Sequence, residues 1–330
     1  MSYVYVTEEN AKIYKRGGRY ILGRNLEVVM EIPEEILEAL ILVGHIQISS
    51  EAITSLLEHN IPVTWLSKYG KFCGRLESTL NVNVLRQYRQ AIMQESDFFL
   101  KLGKRMIEAK SHNQMIILRR YNRRACIKEV NNIISDIVSN IRYIKDAKNR
   151  EEIMGYEGII SKMYFKALGQ LVPKEFAFNK RSRRPPLDEF NSLLSFGYTL
   201  LTYDMYTAIT NHGLNPYFGI LHALKNHHPA LASDLIEEWR PTIIDSMVMG
   251  IIHHREIGKE HFQIPKNGDG IYLNREGRNI FIHAYERKMR TINKYAGDSV
   301  SYRDFINRQV DKLSQSMMTG KDLYSSILLR

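Results

Sequence analysis

The chain has 330 residues, long enough for two domains and a sizeable core, and its 44% hydrophobic and 25% charged content is that of an ordinary folded protein, not of a disordered or fibrous one. Its 46 basic residues outnumber 36 acidic ones for a formal net charge of +10, so polyanions, nucleic acid foremost, are the expected partners, with a mildly basic protein lacking such a partner as the alternative. Cys73 and Cys126 match no zinc spacing or disulfide framework, the N-terminal stretch lacks a signal-peptide core, and no apolar run is long enough to span a bilayer; a reducing, cytoplasmic setting away from membranes is expected.

The first part of the chain reads as strands. Ser2 to Thr7 is β-branched and aromatic, and Lys12 to Arg16 alternates apolar and charged residues before the hairpin signal Gly17-Gly18. Arg19 to Leu22 returns, and Glu27 to Ile32 is a further strand ended by Pro33. Glu34 to Leu40 reads as a short helix or turn. Ile46 to Ser49 leads into a helix over Ala52–His59, and Pro62 to Leu66 and Lys71 to Leu76 flank the turn at Tyr69-Gly70. Near Glu77 the composition changes. The expectation is therefore an α+β, multidomain protein: a small N-terminal β-rich domain, 1–77, followed by a larger all-α domain, 78–330.

From Val82 the apolar period is helical. Val84, Leu85, Tyr88, Ile92, Phe98, Phe99 and Leu102 predict one long helix, and Asn113 to Lys128 a second. The second carries Arg119, Arg120, Arg123 and Arg124 within a turn and a half, a density that suits an anionic ligand such as DNA phosphates, with a solvated face as the alternative. Val130 to Lys148 is a third helix. Glu151 to Leu168 is a fourth, with Glu157 set between Gly155 and Gly158; glycines weaken a helix, so a ligand or metal approaching the backbone there is one reading and an acid favoured by the helix dipole the other. The stretch holding Arg181, Arg183 and Arg184 is basic, proline-rich and irregular, a second candidate for phosphate contact. Asp188 caps a helix through Asn191, Tyr198 and Tyr203.

The run from Asn211 to Pro241 places His222 in an apolar helical segment and, past His227-His228-Pro229, puts Asp234 and Glu237 on one face of a second helix. A histidine and two acids aimed inward need a partner. That partner is a divalent metal, or else Arg240 or Lys225 in a salt-bridged core. Beyond Pro241 a helix resumes, His253-His254 read as exposed, residues 262–279 form a loop or short hairpin, and two basic helices, Arg278 to Tyr295 and Ser301 to Met318, precede a mobile tail from Gly320. Glu157, His222 and Glu237, with Asp234 nearby, are by type oxygen and imidazole ligands suited to Mg²⁺ or Mn²⁺, and such a metal on a basic protein points to phosphodiester chemistry.

Several segments in this order resemble the CRISPR-associated adaptation integrase, the Cas-one protein family, across essentially the whole chain. They are Met154-Gly-Tyr-Glu-Gly158; Arg184-Pro-Pro186 with Asn191 and Leu193 to Tyr198; Gly213 to Pro216 with Gly219 to His222; and Leu231 to Glu237 with Arg240-Pro241. The resemblance implies that one metal is held by Glu157, His222 and Glu237, the catalytic residues, with Asp234 as a possible addition. Tyr198, Asn191 and Arg240 match positions near that site. Ile160 and Ser161 depart from a motif that usually carries alanine. The implied activity is that of a metal-dependent DNA endonuclease or integrase: a fragment's 3′-hydroxyl attacks a phosphodiester at a CRISPR repeat end, with no covalent enzyme intermediate. A homodimer built through the β-rich domain and the small Cas-two protein are the implied partners. A metal-dependent nuclease on branched or free DNA, and a non-catalytic DNA-binding scaffold, are the rival readings.

Overall fold

The computed structural model describes residues 2–266, 268–295 and 298–329, and the chain divides into two units, Met1–Val82 and Asn83–Arg330. The first unit contains β1 (Ser2–Val6), β2 (Lys12–Arg16), β3 (Arg19–Arg24), β4 (Glu27–Pro33), β5 (Leu37–Val43), β6 (Gln47–Ile48), helix α1 (Ser50–Glu58), β7 (Val63–Leu66) and β8 (Phe72–Leu76). One sheet has the order β1-β5-β7-β8, parallel except for β8, and the other β4-β3-β2-β6. The β2–β3 hairpin turns at Gly17-Gly18, where Gly17 takes a positive φ that its missing Cβ allows. Ile13, Tyr20 and Leu22 from one sheet, Leu40, Leu42 and Val63 from the other, and Ala52 and Leu56 of α1 form a single apolar core.

The expected helix or turn over Glu34–Leu40 is a single 3₁₀ turn, Glu34–Ile36, followed by β5 at the middle of the first sheet. A short run such as Leu-Glu-Ala-Leu-Ile-Leu-Val, almost wholly buried, lacks the alternation that marks a half-exposed strand.

The second unit is helical: α2 (Val84–Ile92), α3 (Asp97–Ala125), α4 (Lys128–Asp146), α5 (Arg150–Gly169), α6 (Glu189–Asn211), α7 (Ala230–Leu235), α8 (Ser246–His253), α9 (Arg275–Met289) and α10 (Tyr302–Thr319). Two small hairpins, β9 (Phe262–Gln263) with β10 (Tyr272–Leu273) and β11 (Ile292–Tyr295) with β12 (Asp298–Ser301), lie among the last helices. Asp188 caps α6 through the Asn191 N–H, as its sequence position predicts. Three expectations are corrected. The long helix through Leu102 is broken, because the Ser96 hydroxyl accepts the Phe99 N–H and starts α3 afresh; α3 then runs unbroken past Asn113. The helix expected up to Tyr295 stops at Met289. The tail beyond Gly320 is docked, with Tyr324 and Ile327 buried; Arg330, its last residue, lies outside the described residues.

Candidate active site

Helices α3 and α5 bring a lysine and a glutamate together. Met106, Ile107, Asn113, Gln114 and Ile117 mark the buried stripe of α3, and Lys110 falls inside it. Its ammonium binds Glu157 Oε1 on α5 and lies 2.6 Å from Glu237 Oε2. One turn past Glu157, the Ser161 hydroxyl donates to the same Oε1 at 2.6 Å. Ser161, a departure from the family pattern, thus serves the glutamate directly.

Glu237 does not share a helix face with Asp234. Helix α7 closes at Leu235, and Glu237 sits in the turn that follows, where its Oε1 accepts from Arg240 Nη1 at 2.6 Å. Apart from the Lys110 contact, the buried Oε2 receives no hydrogen bond. Burial alone would push the Glu237 carboxyl up, but Arg240 and Lys110 outweigh it and hold it down to about 2. Burial likewise opposes ionisation of Glu157, and Lys110 again prevails, so its pKa is lowered despite the repulsion of Glu237.

His222 lies outside any helix, contrary to expectation. Residues 212–229 are turns and loop, because Gly213, Pro216, Gly219 and Pro229 interrupt the run. Side chains hold the loop instead. Buried Gln90 on α2 donates to Asn215 O and Phe218 O and accepts from the Asn215 N–H, and Gln94 donates to Gly219 O at 2.8 Å. Asp234, fully buried on α7, accepts the backbone N–H groups of Ile220, Leu221 and His222 and also binds His222 Nδ1. A Cβ at Gly219 would lie 2.7 Å from Asp234 Oδ2, so only glycine lets the loop come this close. The carboxylate fixes the proton on Nδ1 and leaves Nε2 as the acceptor of the imidazole. Burial disfavours the charged ring, but the Asp234 contact overrides it and raises the His222 pKa; Glu237 acts in the same direction.

The residues present have the chemistry for a divalent cation: two carboxylates gathered on one cationic group, one buried carboxylate oxygen with no other donor, and an imidazole held through its Nδ1 by Asp234. Their placement is a looser matter. Among the described residues no three His, Cys, Asp or Glu side chains are gathered closely enough to hold a metal ion. The structure unites Glu157 with Glu237, unites His222 with Asp234, and spends the Asp234 oxygens on its loop.

Behind Arg240 lies a polar layer of which sequence reading picked out Tyr198 and missed Tyr164 and Asp245. Asp245 accepts from the Tyr164 hydroxyl of α5 at 2.9 Å and the Tyr198 hydroxyl of α6 at 2.6 Å. Burial pushes the Asp245 carboxyl up to about 6, and the two hydroxyls offset it only in part. The guanidinium groups of Arg240 and Arg181 both lie over the Tyr198 ring. Arg181, singled out as a DNA contact, is turned inward and donates to Asn191 Oδ1 and the Ser195 hydroxyl. Arg183 and Arg184 are exposed, as are Arg119, Arg120, Arg123 and Arg124, and none of these six makes an ion pair among the described residues.

A β-rich unit followed by a helical one is a plan shared with a class of CRISPR-associated proteins. The family model for "CRISPR associated protein Cas1" matches residues 4–287, and the chain belongs to that family. A CRISPR-associated endonuclease Cas1 of Mycobacterium tuberculosis (strain H37Rv) is 32% identical over 305 residues, covering 92% of this chain and 89% of that one. Among solved structures, a Cas6-RT-Cas1–Cas2 complex aligns over 100% of this chain and 36% of its own chain, with a TM-score of 0.88 at 25% identity. A Cas1 protein from Thermotoga maritima has the same fold, with a TM-score of 0.85 at 22% identity over 99% of this chain and 100% of its own.

Proposed function

We propose that the chain is a metal-dependent DNA integrase and endonuclease of CRISPR adaptation, joining short DNA fragments into a CRISPR array by transesterification at repeat ends. The observation that carries the site is the group of half-buried Glu157 with buried Lys110 and Glu237, beside the His222–Asp234 pair. Two carboxylates sharing one cation are where a hard divalent ion, Mg²⁺ or Mn²⁺, finds oxygen ligands. Glu157 and Glu237 would supply those oxygens and His222 its Nε2. Such an ion, when bound, neutralises phosphate charge and makes a hydroxyl a better nucleophile. Asp234 keeps the imidazole in one tautomer, and Arg240 holds Glu237 ionised. In the joining step the fragment's 3′-oxygen forms a bond to phosphorus as the array strand's own 3′-oxygen leaves. The attacking hydroxyl loses a proton and the departing oxygen gains one, so the number of phosphodiesters is conserved and no enzyme atom is esterified.

Arg119, Arg120, Arg123, Arg124, Arg183 and Arg184 supply exposed positive charge for double-stranded DNA, both the fragment and the repeat. A small Cas-two protein is the proposed partner, supported by the likeness to a chain from a Cas1–Cas2 complex. A second copy of this chain is another, supported by β4, a sheet-edge strand whose Val28, Val29 and Met30 are 47%, 47% and 43% exposed. Replacing Val28 and Met30 by lysine should convert a sedimenting dimer to monomer, and a dimer surviving both changes would place that interface elsewhere. No helix among the described residues is long and apolar enough to cross a membrane, and both cysteines are free and exposed, which suits work in the reducing cytoplasm.

The test follows a DNA fragment labelled at its 3′ end, mixed with repeat-bearing plasmid, the partner protein and Mn²⁺. Integration transfers the label to the plasmid, and a chelator abolishes the transfer. Label found only in shortened fragments would favour the nuclease reading. Full activity retained by Glu157→Ala would favour the scaffold reading.

A further inference from the structure

The turn after α7 sends its side chains two ways. Glu237 and Arg240 face Lys110 and Tyr198, whereas Glu238 and Trp239, both 0% exposed, face α10 and the C-terminal segment. Glu238 Oε1 accepts from Gln309 Nε2 at 2.7 Å and from the Tyr324 hydroxyl, and its Oε2 from the Ile327 N–H at 3.2 Å. Trp239 Nε1 donates to Gln309 Oε1 at 2.8 Å, and Gln309 Nε2 reaches Ser325 O at 2.9 Å. Asn113 lies one turn beyond Lys110 on α3. Its Nδ2 donates to Glu238 O at 3.0 Å and Ile327 O at 2.9 Å, and its Oδ1 accepts from the Leu329 N–H at 2.8 Å. One extended segment is therefore bonded to the neighbour of Glu237 and to the helical turn next to Lys110.

A buried carboxylate is costly, and an apolar side chain of similar size would fill the space without that cost. What the apolar side chain could not do is accept three directed hydrogen bonds and so set the rotation of the turn. We propose that Glu238, tied to Tyr324–Leu329 and Asn113, is a positioning residue that fixes the Glu237 carboxylate beside Glu157, the two acids that Lys110 bridges. The proposal rests on Glu237 belonging to the reacting centre.

Full-length Glu238→Ala, Glu238→Gln, Tyr324→Phe and Glu237→Ala would be compared for strand transfer, DNA affinity, melting temperature and the Mn²⁺ concentration giving half-maximal rate. A group hydrogen-bonded directly to a metal-ligating side chain is worth about 10–100-fold in metal affinity or activity, and Glu238, which acts on Glu237 through the backbone of the turn, belongs at the lower end, about tenfold. Glu238→Ala should therefore raise the Mn²⁺ midpoint and slow joining by about that factor, with DNA affinity held within about twofold. Glu238→Gln, which keeps a carbonyl oxygen as acceptor, should recover part of the loss. Tyr324→Phe, which removes one hydroxyl, should move the midpoint the same way by a smaller factor, and it serves as the reporter if Glu238→Ala does not fold. Unchanged Mn²⁺ midpoints in Glu238→Ala and Tyr324→Phe, alongside an inactive Glu237→Ala, would overturn the proposal and leave the site reading standing. An active Glu237→Ala would remove the site reading and the proposal together.

Discussion

Lys110 balances two carboxylates that would otherwise repel each other in a buried setting. Breaking a buried pair by deleting one partner costs about 3–5 kcal/mol, because the remaining charge stays desolvated. Lys110→Met should therefore lower the melting temperature markedly in chelator, and added Mn²⁺ should raise it by more than it raises the wild type, since no ammonium then competes for the carboxylates. A Mn²⁺ response no larger than the wild type's would mean that Glu157 and Glu237 are not cation ligands. Glu157, His222 and Glu237 were each legible in the sequence by residue type. Lys110 left a fainter signal, a lysine one turn after apolar Ile107 on the side of α3 that is buried. Its meeting with Glu157 and Glu237 was not legible, because the three come from α3, α5 and the turn after α7, and no local period relates them. The expected counter-charge from Arg240 is present at Glu237 Oε1; Lys225 plays no such part, being exposed.

At the scale of elements, α5, α6 and the π-helical segment Arg240–Asp245 are joined by the Tyr164–Asp245–Tyr198 contacts. Burial raises the folded pKa of Asp245 to about 6, so between its ordinary value and 6 the folded protein keeps a proton that the unfolded chain has released. The contribution is therefore full below the unfolded pKa and is lost as pH rises through 6. At about 1.4 kcal/mol per pH unit, the wild type should lose on the order of 3 kcal/mol over that window relative to Asp245→Asn. Parallel stability-versus-pH curves for the two proteins would show that Asp245 carries no such linkage. Elements with a clear period or cap, such as α1, α4, α6 and the β2–β3 hairpin, were readable. The errors fell where the local signal is ambiguous: β5, buried on both faces; the Ser96 break, a cap inside a continuing apolar stripe; and residues 212–229, an apolar run ordered by Gln90, Gln94 and Asp234 from outside it.

Over the whole molecule, the change from β-rich to helical character was legible from the switch in hydrophobic period near Glu77, and the contacts divide at Val82. The net charge of +10 becomes concrete on α3, where Arg119 and Arg123 share one face and Arg120 and Arg124 the next. Each phosphate contact adds about 0.9 to the slope of log affinity against log salt concentration. Removing Arg119 and Arg123 together should reduce that slope by about 2, with equal loss on unrelated DNA sequences. A slope left unchanged would make the arginine face merely solvated. Arg181 was read as part of this surface but belongs to the interior, because Asn191, Ser195 and Tyr198 take its guanidinium.

The most direct measurement is strand transfer of a DNA fragment into a supercoiled plasmid carrying a repeat, with Mg²⁺ or Mn²⁺ and the small partner protein, comparing the wild type with His222→Ala. The expected result is joining by the wild type and none by the variant, with DNA binding equal in both. Equal joining by the two proteins would make His222 a loop-holding residue and contradict its place in the reacting centre.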